Sequence, residues 1–368
     1  MDYLKAERKK RNKRKRMVRR ITMVIMTLMI LCLGCGCIIL LLQYNQQKNQ
    51  TIEAMNQVTA LESELYSDHY MTVVEAENLI DEAVSNAKNE LLTNIRSRME
   101  KGETTLTLLE NLFPNQIVTA HAGAYHFFDI NESLAMNEFG YEHFTYPVLN
   151  EETGKYEGDV TLDESTGVVT RKGIDVSRFQ GKINWKKVAN DGIDYAYIRL
   201  GYRGYGSGKI VIDDAYEYNI ENANAAGLDT GVYFFTEAIS EREAIEEAEY
   251  VLENLEGQSI DLPIVLDVEE SASSDSRTKD LTKEQRTDAV IAFCERIKKA
   301  GHDVMIYGNT KSFLIMMDME RLEEYDKWFA YYKYPLRFPY KMKMWQYTSS
   351  GTVDGIEGGV DINISFDF

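Results

Sequence analysis

Residues 262–270 read LPIVLDVEE. After Pro263 the chain runs Ile-Val-Leu, a short apolar stretch with the character of a buried strand, and then sets carboxylates at Asp267 and Glu269. Side chains two apart on a strand share a face, so these acids point the same way, about 6.5–7 Å apart along the strand. Both flanks read as helices. SEREAIEEAEYVLENLEG precedes, with Ser240 and Glu243 spaced as a capping box, and TKEQRTDAVIAFCERIKKAG follows, with Thr282 placed to cap. The same alternation extends outward. GIDVSRF, YAYIRLGYR, TGVYFFTE and HDVMIYGN read as strands, and NWKKVAND, DAYEYNIENANAAG and KSFLIMMDMERLEEY as the helices between and after them. Beyond Tyr325 the helices stop, and KWFAYYKY, KMKMWQYTS and VDINISF read as three more strands. The fold class predicted is therefore α/β: an incomplete TIM-like barrel of five β-α units plus three further strands, spanning residues 172–368.

Acids inside apolar strands are costly unless partnered or used. Asp175 sits in the first strand, Asp267 and Glu269 in the fourth, and Asp361 in the last. Barrel enzymes carry function at strand ends, and clustered negative charge raises the pKa of at least one member, as a general acid at neutral pH requires. Paired carboxylates suit glycosidic bond cleavage, which needs no metal or other cofactor. A hard-cation site built from the same oxygens is the second reading. Cys294 falls in the apolar pattern of its helix and reads as a core thiol rather than a nucleophile. Aromatic residues crowd the same strand ends. Tyr233 and Phe235 share one face of their strand, and Trp345 and Tyr347 one face of theirs.

At these residues the chain resembles glycoside hydrolase family 25, the N-acetylmuramidase lysozymes. GIDVSRFQGKINWKKV looks like the family's opening strand and loop, and GVYFF, LPIVLDVEE, IYGN, WFAYY and WQYTSSGTVDGIEGGVDINIS follow in family order. The resemblance implies Glu269 as general acid and Asp267 as assisting carboxylate, with Asp175 and Asp361 as the first-strand and last-strand aspartates. It further implies Tyr233, Tyr307, Tyr332, Gln346 and Tyr347 as groove-lining positions. The implied reaction is hydrolysis of the β-1,4 bond from N-acetylmuramic acid to N-acetylglucosamine in peptidoglycan. A non-catalytic wall-binding scaffold on a lysozyme-like barrel is the alternative, and the presence of Glu269 argues against it.

The rest of the chain sets the context. Residues 1–20 hold 11 Lys/Arg against Asp2 and Glu7, a net of +9, so the other 348 of the 368 residues carry −18 − 9 = −27. An acidic body of that kind is no nucleic-acid binder. Residues 21–42 are almost wholly apolar and uncharged, long enough as a helix to span a bilayer. The basic flank predicts a cytoplasmic N-terminus, with the barrel outside the cell membrane. Residues 43–112 lack proline throughout and lack glycine as far as Lys101. Val73, Ala76, Ile80, Ala83, Ala87, Leu91, Ile95 and Met99 form one stripe along them, predicting a helical stalk with a short return helix near Leu106–Leu112. A coiled coil, a helical hairpin and a solitary helix all fit, and an Ala-rich stripe of this kind gives at most a weak homodimer. Residues 113–171 alternate in short runs and read as a small β-rich spacer module, whose His121, His126 and His143 lack metal-ligand spacing.

Overall fold

In a computed structural model, the structure describes residues 73–366 apart from 151, 153, 154 and 272, together with 23 and 58–61. The membrane segment expected over residues 21–42 and the first part of the stalk lie outside the described residues. Two compact units divide the chain, residues 1–129 and 130–368.

In the first unit, α1 (Val73–Glu100) is a 28-residue helix, followed by α2 (Thr105–Leu112), where the Thr104 hydroxyl accepts the Thr107 N–H at 3.2 Å. Strands β1 (Gln116–His121) and β2 (Ala124–Asp129) pair antiparallel. Their two-residue turn places Ala122 and Gly123 at φ 50° and 77°, the mirror-image turn that matches strand twist. Phe113 packs edge-on against Phe127 at 5.0 Å.

The second unit begins with four short strands, β3 (Phe144–Thr145), β4 (Val148–Asn150), β5 (Lys155–Glu157) and β6 (Thr161–Leu162), paired β3–β6 and β4–β5. The barrel follows: β7 (Thr170–Val176), α3 (Trp185–Asn190), β8 (Tyr195–Arg203), β9 (Ile210–Ile212), α4 (Tyr216–Ala226), β10 (Asp229–Phe235), α5 (Glu241–Asn254), β11 (Ile264–Asp267), α6 (Lys283–Lys299) and β12 (Val304–Asn309). Strands β13 (Asp326–Ala330), β14 (Met344–Gly351) and β15 (Val360–Phe366) complete it. The ring closes in the order β7-β8-β10-β11-β12-β13-β14-β15 and back to β7, with β9 a hairpin on β8. Its strands are parallel except β15, which runs antiparallel to both neighbours.

Two expectations change in detail. The fifth unit has no long helix: Ser312–Met316 makes one π-helical turn before Met317 turns extended. The Asn309 carboxamide caps that turn, accepting from the N–H groups of Lys311 and Ser312, and the Asp318 carboxylate draws the next turn out by accepting from the Glu320 N–H. Residues 113–171 are divided: β1 and β2 belong to the first unit, β3 to β6 to the second.

The barrel interior is packed rather than hollow. Tyr195, Tyr197, Val265, Met305, Trp328 and Met344 form its centre. Glycine at 173 and 231 makes room for the tyrosines, since a Cβ there would lie 2.1 Å from the Tyr195 ring and 2.4 Å from that of Tyr197. The outer side of β14 and β15 is covered by residues from 130–171. Phe144 packs edge-on to Trp345 at 5.6 Å and to Phe366 at 6.0 Å, and Phe139 meets Phe366 at 4.8 Å.

Candidate active site

Above the packed interior, at the C-terminal ends of the parallel strands, a cavity of about 250 Å³ is lined by Asp175, Asp267, Glu269 and Asp361 together with Tyr233 and Tyr307. The register explains the convergence. Asp175 lies one residue from the end of β7, and Asp267 closes β11 opposite Phe235 and Tyr307. The Val268 N–H still bonds the Tyr307 carbonyl at 3.0 Å, so alternation persists one step further. Val268 is therefore buried outward and Glu269 turns back into the cavity. Glu270 points away and pairs with Lys311. Asp361 arrives by the reverse route: because β15 runs backwards, its second residue sits at this pole, directly paired with Asp175.

Asp175 is the most heavily held of the four. Its Oδ2 accepts from Gln346 Nε2 at 2.7 Å and Asn363 Nδ2 at 2.8 Å. Gln346 in turn accepts from the hydroxyls of Tyr307 at 2.7 Å and Tyr332 at 2.5 Å, while Asn363 accepts from the Trp328 indole at 2.8 Å. Asp175 and Asp361 share a hydrogen bond between carboxyls, so one of them keeps a proton. Burial first, and then the neighbouring Asp175 charge, push Asp361 up to about 9. With Asp175 Oδ2 already taken by two amide N–H groups, these oxygens suit the acid–base reading better than the hard-cation one.

Glu269 is raised to about 7, by burial first and then by the charge of Asp175. Asp267 is raised as well, by burial and then by Glu269 and Asp175, with Arg199 acting in the opposite direction. Asp267 Oδ1 is buried and accepts no hydrogen bond from any described residue, an acceptor left over for something that enters the cavity.

Of the groove-lining positions, Tyr233 and Tyr307 line the cavity and Gln346 lies beneath it. Tyr332 reaches Gln346 from outside, and its ring is 44% exposed. Tyr347 does not join the carboxylates. Alternation turns it and Trp345 to the outer face of β14, where the Tyr347 hydroxyl donates to Asp159 at 3.0 Å. Arg199 joins the site without being implied by the resemblance. It shares the inward parity of Tyr195 and Tyr197, lines the cavity, and is held on Asp213 at 2.6 Å beside the Phe179 ring. A charged residue on the inward parity of an apolar strand is the signal that found the acids, and it applied here too. Cys294 is buried, and burial pushes its thiol up, as befits a packed core group.

Two carboxyl groups facing one cavity, one of them poised near neutrality, on the C-terminal pole of a β/α barrel: this is the arrangement of a sugar-cleaving hydrolase. Known proteins agree. The description "Glycosyl hydrolases family 25" matches residues 174–356. Lysozyme M1 of Streptomyces globisporus is 31% identical over 226 residues, covering 57% of this chain and 71% of that protein. The autolytic lysozyme of Clostridium acetobutylicum is 25% identical over 193 residues, 52% of this chain and 55% of that one. The crystal structure of the bacterial lysozyme from Streptomyces coelicolor aligns with a TM-score of 0.45 at 31% identity, over 54% of this chain and 92% of that one. The chain belongs to glycosyl hydrolases family 25 and is a glycoside hydrolase.

Proposed function

We propose that the protein is a membrane-tethered muramidase that hydrolyses the β-1,4 bond between N-acetylmuramic acid and N-acetylglucosamine in peptidoglycan, with Glu269 as general acid. The lysozyme relatives support the substrate class. The observation that carries the chemistry is the Asp267–Glu269 pair on one cavity wall, with Glu269 raised to about 7 and so protonated over the lower part of the neutral range. Glu269 gives its proton to the leaving glycosidic oxygen. Asp267, once ionised, stabilises positive charge developing at the sugar or its N-acetyl group, with Arg199 favouring the ionised form. Asp175 and Asp361 act as a shared-proton pair that sets the local charge. Glu269→Gln keeps the shape and loses the acid. Release of reducing ends from purified cell walls should fall by about 10²–10⁴-fold, the usual worth of general-acid catalysis. Glu270→Gln, outside the cavity, should stay within a few-fold of wild type. The reverse result would overturn the assignment.

The tether rests on the apolar, uncharged residues 21–42 behind a basic N-terminus. Protease added to wall-stripped cells should remove the barrel and spare residues 1–20; a protected barrel overturns the orientation. Ile80 and Met99 of the stripe are exposed on α1, which supports weak pairing of stalks. Sedimentation of residues 45–368 at micromolar concentration should show monomer or a monomer–dimer mixture, and a tight tetramer would contradict this.

A further inference from the structure

Beside the carboxylate cavity lies a second cleft, larger at about 850 Å³, on the outer side of β14 and β7. One wall is Tyr332, Tyr347 and the exposed serines 349 and 350 of the barrel; the other is Tyr156 and Asp159, from residues that precede the family match at 174–356. The barrel alone does not make this cleft: Tyr156 and Glu157 of β5, with Gly158 and Asp159 after it, supply its second wall.

Its chemistry is specific. Tyr156 and Tyr332 are 50% and 44% exposed, two aromatic side chains left to water where the neighbouring Tyr347 is buried. Its one lysine is already matched: Asp159 accepts from Lys172 at 2.7 Å and from the Tyr347 hydroxyl at 3.0 Å, while Glu157 and Asp191 leave the lining acidic. Beside these carboxylates the cleft offers aromatic surface and hydroxyls. That combination takes the apolar faces and equatorial hydroxyls of a neutral sugar, and is poorly suited to a charged peptide. A hydrogen-bond chain ties the cleft to the cavity. Tyr332, part of its wall, donates to Gln346, which holds Asp175.

We propose that this cleft is a second carbohydrate-binding site, which holds the glycan strand of the same wall polymer some sugars away from the bond being cut. The proposal rests on the muramidase reading. Its test uses the full chain carrying Glu269→Gln, so that bound glycan survives, and peptide-free glycan strands prepared from purified walls by amidase digestion, with the lactyl carboxylates so exposed capped as methylamides to keep the strand neutral. Adding Tyr156→Ala, or filling the cleft with Ser349→Trp, should lower affinity for these strands by up to about tenfold, the worth of one aromatic contact. The loss should vanish for a disaccharide, too short to occupy both sites. Melting curves establish that each variant is folded, and if Tyr156→Ala melts early, Ser349→Trp decides. Wild type that releases reducing ends, combined with unchanged strand affinity in the variants, overturns the cleft alone. A loss seen only when stem peptides are attached overturns it in favour of peptide binding. No cleavage by wild type and no binding by the Glu269→Gln parent overturn both readings.

Discussion

The inner and outer faces of β14 and β15 are built from alternate residues of the same two strands, and they differ in kind. Inward, Gln346, Asp361 and Asn363 form a polar network that holds Asp175 beneath the cavity. Outward, Trp345, Tyr347, Ile364 and Phe366 are buried under residues 130–171, with rings packed on rings. The inner face keeps carboxyls crowded and away from water, an arrangement that costs stability and makes acid chemistry available at neutral pH. The outer face does what helices do elsewhere around the barrel. One face should govern rate and the other stability, and the two should separate by mutation.

The largest effect is expected inside. Asp267→Asn should lower wall hydrolysis by at least about 100-fold, while removing one of a set of crowded carboxyls leaves the melting temperature unchanged or raises it. A large drop in melting temperature would show that the inner acids are structural and would dissolve the contrast. Outside, Phe144→Ala should cost about 3–5 kcal/mol, as large-to-small core changes do, read by chemical denaturation, with hydrolysis per folded molecule within a few-fold of wild type. Trimming the chain to residues 172–368 should expose Trp345 and Phe366, so that this fragment melts earlier than residues 130–368 or aggregates. Equal melting curves would mean that the outer cover contributes nothing.

Smaller and more diagnostic are the pH effects. Glu269 works protonated and is raised to about 7, so activity should decline as pH rises through that value. Asp361, raised to about 9 in the folded protein, binds a proton there that the unfolded chain has lost above about 4. The folded state then holds more protons than the unfolded, and stability falls with rising pH between those limits. Asp361→Asn should flatten that decline in melting temperature between pH 5 and 9, and a slope unchanged by the substitution would remove Asp361 from the titrating set.

Periodicity and strand parity made much of this visible in the sequence. The eight strands, the helices between the first five and the inward direction of Asp175, Asp267 and Glu269 follow from alternation and from acids set in apolar runs. Two things did not follow. Nothing in VDINISF reports that β15 runs backwards, because strand direction is fixed by which neighbours it finds. Nothing in the residues around Phe144 reports that they cover the barrel, because short alternating runs look alike whether they pack on one another or on a distant Trp345. Tyr347 shows the limit of parity: its face was legible, but not which face of the ring looked inward.

The pairing of Asp175 with Asp361 also sets an order in time. These residues lie at the two ends of the barrel sequence, on the first and last strands, and the seam between them is the last part of the ring that synthesis can deliver. Until the final strand has emerged, Asp175 lacks Asn363 and the carboxyl that shares its hydrogen bond. A chain whose β15 has not yet emerged thus carries every acid of the site except the one that completes it.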